Sequence, residues 1–272
     1  MNTATKTSDR YRFDHPTIAT VLSDMRIPKS DPGPDDKAPA FDLPTTDGGK
    51  ISSDDLSRDG RPVLLVFGSL TCPVTESAGA GLRELHAQYG DRVRFVMVNV
   101  REAHPGARTR QPRTSENKAR NAIALKAHHG FPFEMAVDDI DGTLHRSFGP
   151  RPSSAYLIDP SGTILFRAHW SNVTDALEEA ISAVAEGKSP PRRTVGRTLR
   201  SMMKMTGHAD VAFDAAGKGA RRDTWKVAPP FAAMIVSSRL FIFLPRSRRG
   251  LPAVLTMLAL GGAAVAAAVF VL

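Results

Sequence analysis

"PVLLVFGSLTCPVTESAGAGLRELHAQYGDRVRFVMVNV" (Pro62 to Val100) decides the fold. Pro62 to Gly68 is apolar throughout and partly β-branched, the pattern of a strand buried on both faces. From about Pro73, Val74, Ala78, Leu82 and Leu85 recur near one face of a helix that Gly90 stops. Arg92 to Val100 reads as a second buried strand. Strands joined by a helical crossover are parallel, so their carboxyl ends share one sheet edge, where ligands and chemistry collect. The turn at that edge carries Cys72.

Downstream, the polar loop "REAHPGARTRQPRTSE" (Arg101 to Glu116) precedes a helix predicted to run to about His129 and close at Gly130. "FEMAV" is a strand, "DDIDG" a turn, and a short helix follows around Thr143 to Phe148. "AYLID", "PSG" and "TILFRAHW" form a β-hairpin, and Asn172 to Glu186 an amphipathic helix with an N-cap at its start. Upstream, "APAFDLPTTDGGKISSDDL" has short apolar pieces around a "DGG" turn. The order β-α-β-α-β-β-α predicts an α/β thioredoxin-like fold over 38–187, a central mixed sheet flanked by helices. Residues 1–37 are a polar extension with at most one short helix, 188–227 a basic linker, and 228–272 a membrane-associated segment.

Charge and cysteine usage narrow the setting. The net charge is +8, and Lys188 to Lys226 holds ten Lys/Arg against Asp210, Asp214 and Asp223. The single cysteine excludes an internal disulfide and a cysteine-based zinc site, and a free thiol suits a reducing compartment. The N-terminus lacks the apolar core of a secretory signal. Pro252 to Leu272 is uncharged over 21 residues, roughly 30 Å of helix, which predicts a transmembrane helix. Gly262 and Ala266 offer a small-residue pair for helix packing. "RSRRG" before it predicts a C-terminal anchor with the body of the protein in the cytoplasm. "APPFAAMIVSSRLFIFL" (Ala228 to Leu244), interrupted by Arg239, is expected to lie in the membrane interface. Beside these segments the basic stretch reads as a contact with an anionic lipid surface; no aromatic or RNA-binding motif accompanies it, so nucleic acid is not expected.

Cys72 sits before Pro73, which is tolerated in a first helical turn. It therefore caps a helix N-terminus, where free N–H groups and the helix dipole favour a thiolate. The parallel arrangement brings "REAHP" (Arg101 to Pro105) toward it, and Glu102 and His104 are candidates to take and return its proton. His128 and His129 are expected to be solvated residues at a helix end, with no metal-binding pattern.

"FGSLTCP" followed about thirty residues later by "EAHP" resembles the iodothyronine deiodinases, thioredoxin-fold selenoenzymes with selenocysteine at the Cys72 position. The resemblance runs from about Phe67 to Phe166 and includes "SGTILF". It implies Cys72 as nucleophile, with Ser69, Thr71, Glu102 and His104 as proton-handling neighbours, and slower reductive chemistry from sulfur in place of selenium. The phenol-holding histidine of that family has no counterpart here, its place falling at Pro112 or Arg113, and Ala168 to Trp170 replaces a late arginine. Thyroid hormone is therefore not the expected substrate. "APAFDLPTTDGGKISSDDL" and "AYLIDPSGTI" resemble, more widely, the peroxiredoxin-like (AhpC/TSA-type) and TlpA-like redoxins. Ser69 matches the hydroxyl of their PxxxT/SxxC pattern, Leu65 replaces its proline, and Pro152 lies one residue from the thioredoxin-family cis-proline.

The expected function is a membrane-anchored thiol oxidoreductase, with antioxidant, deiodinase-like or disulfide-reducing activity. Cys72 would attack a peroxide, disulfide or halogen in a small-molecule or thiol substrate. With no second cysteine, an external thiol (glutathione-like or thioredoxin) must complete the cycle, and no bound cofactor or metal is expected. The alternative is a non-catalytic redoxin-fold scaffold or redox sensor.

Overall fold

The computed structural model describes residues 11–271, with side chains as far as Leu260. The chain enters through α1 (Ile18–Asp24), then β1 (Asp42–Pro44), β2 (Lys50–Ser52) and α2 (Ser53–Asp59). The central unit is β3 (Val63–Gly68), α3 (Pro73–Tyr89) and β4 (Arg94–Asn99), followed by α4 (Ser115–His129), β5 (Glu134–Val137) and α5 (Thr143–Ser147). A hairpin of β6 (Ala155–Ile158) and β7 (Ile164–Ala168) leads to α6 (Thr174–Ala185). The remainder comprises β8 (Thr194–Val195), α7 (Thr198–Thr206), α8 (Ala209–Ala216), α9 (Ala220–Val227), α10 (Pro229–Ser238) and α11 (Gly250–Val271).

Six strands form one sheet in the order β5-β4-β3-β6-β7-β8, with β1 and β2 a separate antiparallel pair. β3, β4 and β5 are parallel, β6 is antiparallel to both β3 and β7, and β8 is parallel to β7. This is the thioredoxin-like α/β arrangement. Alternation along β3 explains the burial on both faces. Leu64 and Val66 join the core beneath α3 and α6, with Leu82, Leu85 and Leu177. Val63, Leu65 and Phe67 join the opposite core, with Ile51, Leu144 and Phe148. α4 closes at Gly130, which takes the left-handed conformation (φ 60°), whereas the start of α6 has no side-chain cap.

Both ends of the chain depart from expectation. Residues 11–37 are tied to the domain by charged groups. Arg101 donates to the Tyr11 carbonyl (2.9 Å) and to Asp24 Oδ1 (3.1 Å), and Arg151 and Arg167 both reach Asp31 Oδ2 (3.1 and 3.2 Å). Residues 188–227 are folded rather than a linker: β8 extends the sheet, and α7 and α8 pack on α3. Much of their positive charge is paired within the chain, Arg197 and Arg200 with Asp175 and Arg221 with Asp210 and Asp214.

The transmembrane expectation is overturned. Among the described residues no helix is long and apolar enough to cross a membrane. α11 does form over much of Pro252 to Leu272, but it starts inside the protein body, where Ala253 is fully buried and packing falls against α7 and α10. The absence of charge suggested a span, but alanine and glycine dilute the hydropathy of the run, and beyond Ala253 its Leu255, Leu258 and Leu260 are exposed. The membrane localisation built on that anchor falls with it. The Gly262 and Ala266 pair lies outside the residues with described side chains. The segment expected in the interface is α10, whose Ile235 packs on Ala209, Phe213 and Ala216.

Candidate active site

Cys72 is the N-cap of α3, in extended conformation (φ −93°, ψ 117°), with Pro73 in the first turn. Its carbonyl accepts from Glu76 N–H (2.9 Å), and its own N–H donates to the Ser69 carbonyl (3.3 Å). Four of the five residues expected at the site are brought together around the Ser69 to Cys72 turn. Glu102 Oε2 accepts from Thr71 Oγ1 (2.8 Å) and Thr71 N–H (3.1 Å), and Ser69 Oγ accepts from Ala103 N–H (3.2 Å). The backbone N–H of His104 donates to Thr71 Oγ1 (3.1 Å). The fifth, His104, lines the cavity that Cys72 also lines, its ring edge-on to Phe213 (5.2 Å between centroids).

The electrostatics differ from the expectation drawn from the helix start alone. The donors are there: the N–H groups of Val74 and Thr75 and the Thr75 hydroxyl favour the thiolate. Burial outweighs them and pushes the thiol up, because a charge in an apolar wall loses its hydration. Cys72 is 2% exposed, packed with Val74 and Trp170 and flanked by Met25, Ala103 and Met205. Burial likewise pushes the Glu102 carboxyl up, against hydrogen bonds from Thr71 and Asn121. Burial holds His104 down, at about 4, so its imidazole is neutral at physiological pH. Asp24 is raised to about 6 by burial, with Arg101 and Arg151 opposing the shift.

Above the thiol lies a cavity of about 360 Å³, within the range of small-molecule sites. Its wall is apolar, with Phe13, Val21, Trp170, Met202, Met205 and Phe231 prominent, and Asp24 and His104 supply the ionisable groups beside Cys72. Pro152 lines it too, and among the described residues no peptide bond is cis. Both chain ends contribute to this wall, which the sequence does not announce. Thr75 carried a local signal, since a hydroxyl three residues into the helix faces the cap. Asp24, Trp170 and Met205 carried none, being brought in from far along the chain.

Residues 34–167 match the model of the AhpC/TSA family. Over this stretch, just under half of the chain, the protein is similar to the AhpC/TSA redoxins. The redoxins are thiol oxidoreductases and peroxidases, and the fold described above is theirs. No curated protein matches the chain. Among solved structures it is similar to an uncharacterized conserved protein from Geobacillus kaustophilus (19% identity, 62% of this chain and 93% of that one, TM-score 0.49). It is also similar to a putative thiol:disulfide interchange protein DsbE from Chlorobium tepidum (24% identity, 57% and 99%, TM-score 0.45). A third is the peroxidoxin BcpB from Mycobacterium tuberculosis (18% identity, 55% and 96%, TM-score 0.43). The redoxin match ends at residue 167, before α6, β8 and the five helices α7 to α11, so the C-terminal part of the cavity wall lies outside it.

Proposed function

We propose that this redoxin reduces an electrophile with an apolar body, an organic peroxide being the best fit, through Cys72 alone. The observation that carries the reading is the placement of the chain's single thiol at the α3 start, facing an apolar cavity. In the first step Cys72 sulfur attacks the distal peroxide oxygen and the O–O bond breaks. The thiol proton ends on the leaving alkoxide, so the products are a sulfenic acid and an alcohol. The neutral His104 imidazole can pass that proton along, its Nδ1 being buried without a hydrogen-bond partner. One external thiol then condenses with the sulfenic acid, releasing water and leaving a mixed disulfide. A second thiol displaces it and restores Cys72. A neighbouring polar hollow is lined by Arg110, Arg113, Lys218 and Arg222, and although Asp14 and Asp223 pair with Arg113 and Arg222, Arg110 and Lys218 are left to meet an anionic, glutathione-like reductant.

The test uses the full chain with organic peroxide, disulfide and iodinated phenol, each with a thiol reductant. Cys72→Ser should abolish turnover while circular dichroism stays unchanged; undiminished turnover in that variant rejects the proposal. Faster turnover of the iodinated phenol would favour deiodinase-like chemistry at the same thiol. A second reading, a non-catalytic scaffold or redox sensor, has the burial of Cys72 in its favour. It requires alkylation and peroxide reactions of Cys72 no faster than those of a free thiol of pKa about 8.5.

A further inference from the structure

We infer that Glu76, His128 and His129 form a binding site for a divalent transition-metal ion, Zn²⁺ by ligand type, on the side of α3 one turn beyond the active-site thiol. His128 Nε2 lies 2.7 Å from Glu76 Oε2, and His129 Nε2 lies 3.7 Å from the same oxygen. One ligand atom from each residue falls within 4.8 Å of the other two. A tetrahedral ion with bonds of about 2.0–2.2 Å spaces its donors about 3.4 Å apart, so binding opens the His128–Glu76 contact and draws in the wider separations, a movement the part-exposed His128 side chain allows.

An ordinary ion pair does not account for this arrangement. One imidazole would satisfy the carboxylate, yet two converge on it, and Glu76 has no Lys or Arg partner among the described residues. The second ring is buried at His129, and its Nε2 stands beyond hydrogen-bond range of Glu76. That ring is also fixed in direction. It stacks on Phe131 (4.9 Å between centroids) and lies against Gly79, where a Cβ would come within 2.4 Å of Nδ1. Glycine at 79 therefore allows the ring to press on α3 with Nε2 turned toward Glu76. Arg83, the nearby cation, spends a donor on the His129 carbonyl. Two imidazoles and one carboxylate form a zinc ligand set with a fourth position open to water, and the His128 side provides the path of entry.

Bound metal would join the end of α4 to the first turn of α3, whose Glu76 N–H is bonded to the Cys72 carbonyl. The experiment adds Zn²⁺ alone to the chelator-treated full chain and follows it by calorimetry. One ion per chain, bound with sub-micromolar affinity, is expected, together with a rise in melting temperature. His128→Gln and Glu76→Gln should each weaken binding by more than about 100-fold, above the range for losing an outer-shell contact. Cys72→Ser should bind as the wild type does, and a Co²⁺ spectrum should lack a thiolate charge-transfer band. Absence of saturable binding, wild-type affinity in His128→Gln, or loss of binding in Cys72→Ser would each overturn the site. His128 is exposed at a helix end, and metal-free melting of its variant separates loss of binding from loss of fold.

Discussion

Thr71 and Glu102 are joined twice, through the hydroxyl at 2.8 Å and the backbone N–H at 3.1 Å, across the two loops that end β3 and β4. The same hydroxyl accepts from His104 N–H, so one buried threonine sets the distance between the cysteine turn and the histidine loop. Thr71→Val keeps the shape and the backbone bond to Glu102 and removes the two bonds of the hydroxyl, to Glu102 and from His104 N–H. It should lower stability by about 1–3 kcal/mol, the range for leaving buried polar groups unpaired. Denaturant unfolding checks this, and an unmoved midpoint would show that the bond pair holds nothing. Slower peroxide turnover is expected with it.

Asp24 faces the thiol cavity, and its negative charge is among the influences raising Cys72. Asp24→Asn should therefore lower the thiol pKa and speed iodoacetamide alkylation several-fold at pH 7. The carboxyl is itself raised to about 6, above its unfolded value, so the stability it contributes is present at low pH and lost as pH rises through 6. The variant should not show that loss between about pH 4 and 6. Equal alkylation rates in both proteins would rule out the electrostatic link.

His169 is held down to about 4 by burial and bonds the Asp24 carbonyl through Nε2 (2.9 Å). A lowered histidine stabilises fully above its unfolded pKa and loses that contribution as pH falls from about 6.5 toward 4. His169→Gln should cost something at pH 7 and progressively less on acidification, the difference narrowing by about 3 kcal/mol at most. Unfolding curves at pH 7 and pH 4.5 decide it; a pH-independent difference would contradict the buried neutral imidazole.

Arg101 binds the chain's first described residues, through the Tyr11 carbonyl and Asp24, and lies over the Tyr11 and Phe13 rings (5.2 and 5.0 Å). Arg101→Gln breaks a buried pair and should destabilise by about 3 kcal/mol. Limited proteolysis should then cut within 11–37, and Cys72 should alkylate faster. Unchanged proteolysis would mean that other contacts hold the extension.

What the sequence made readable was local. The run from Pro62 to Val100 carried its strand, helix and strand in its own periodicity, and the pairing of the Cys72 turn with the 101–105 loop followed from parallel strands. What it concealed was non-local. Asp31 meets Arg151 and Arg167 more than a hundred residues away, so a polar extension looked unstructured because its partners were out of view. The basic residues after 187 have nearer partners, Asp175 for Arg197 and Arg200 and Asp210 and Asp214 for Arg221, but a count of charges does not show which of them meet. Cys72 illustrates both halves: its donors come from the next three residues, and the burial that outweighs them comes from Met25, Trp170 and Met205. Pro252 to Leu272 failed differently, since counting uncharged residues measures length and not hydropathy, and alanine and glycine add the first with little of the second.

The cavity wall also sets an order of events during synthesis. Met25 precedes Cys72, but Trp170, Met202, Met205 and Phe231 are made long after it. Because domains form from the N-terminal side as the chain emerges, the redoxin sheet can be complete while its thiol still faces water. Shielding is completed only by the helices beyond residue 198, which add Met202, Met205 and Phe231 to Met25 and Trp170. The nascent protein therefore passes through an interval in which its one cysteine is at its most vulnerable to oxidation, and the final helices end it.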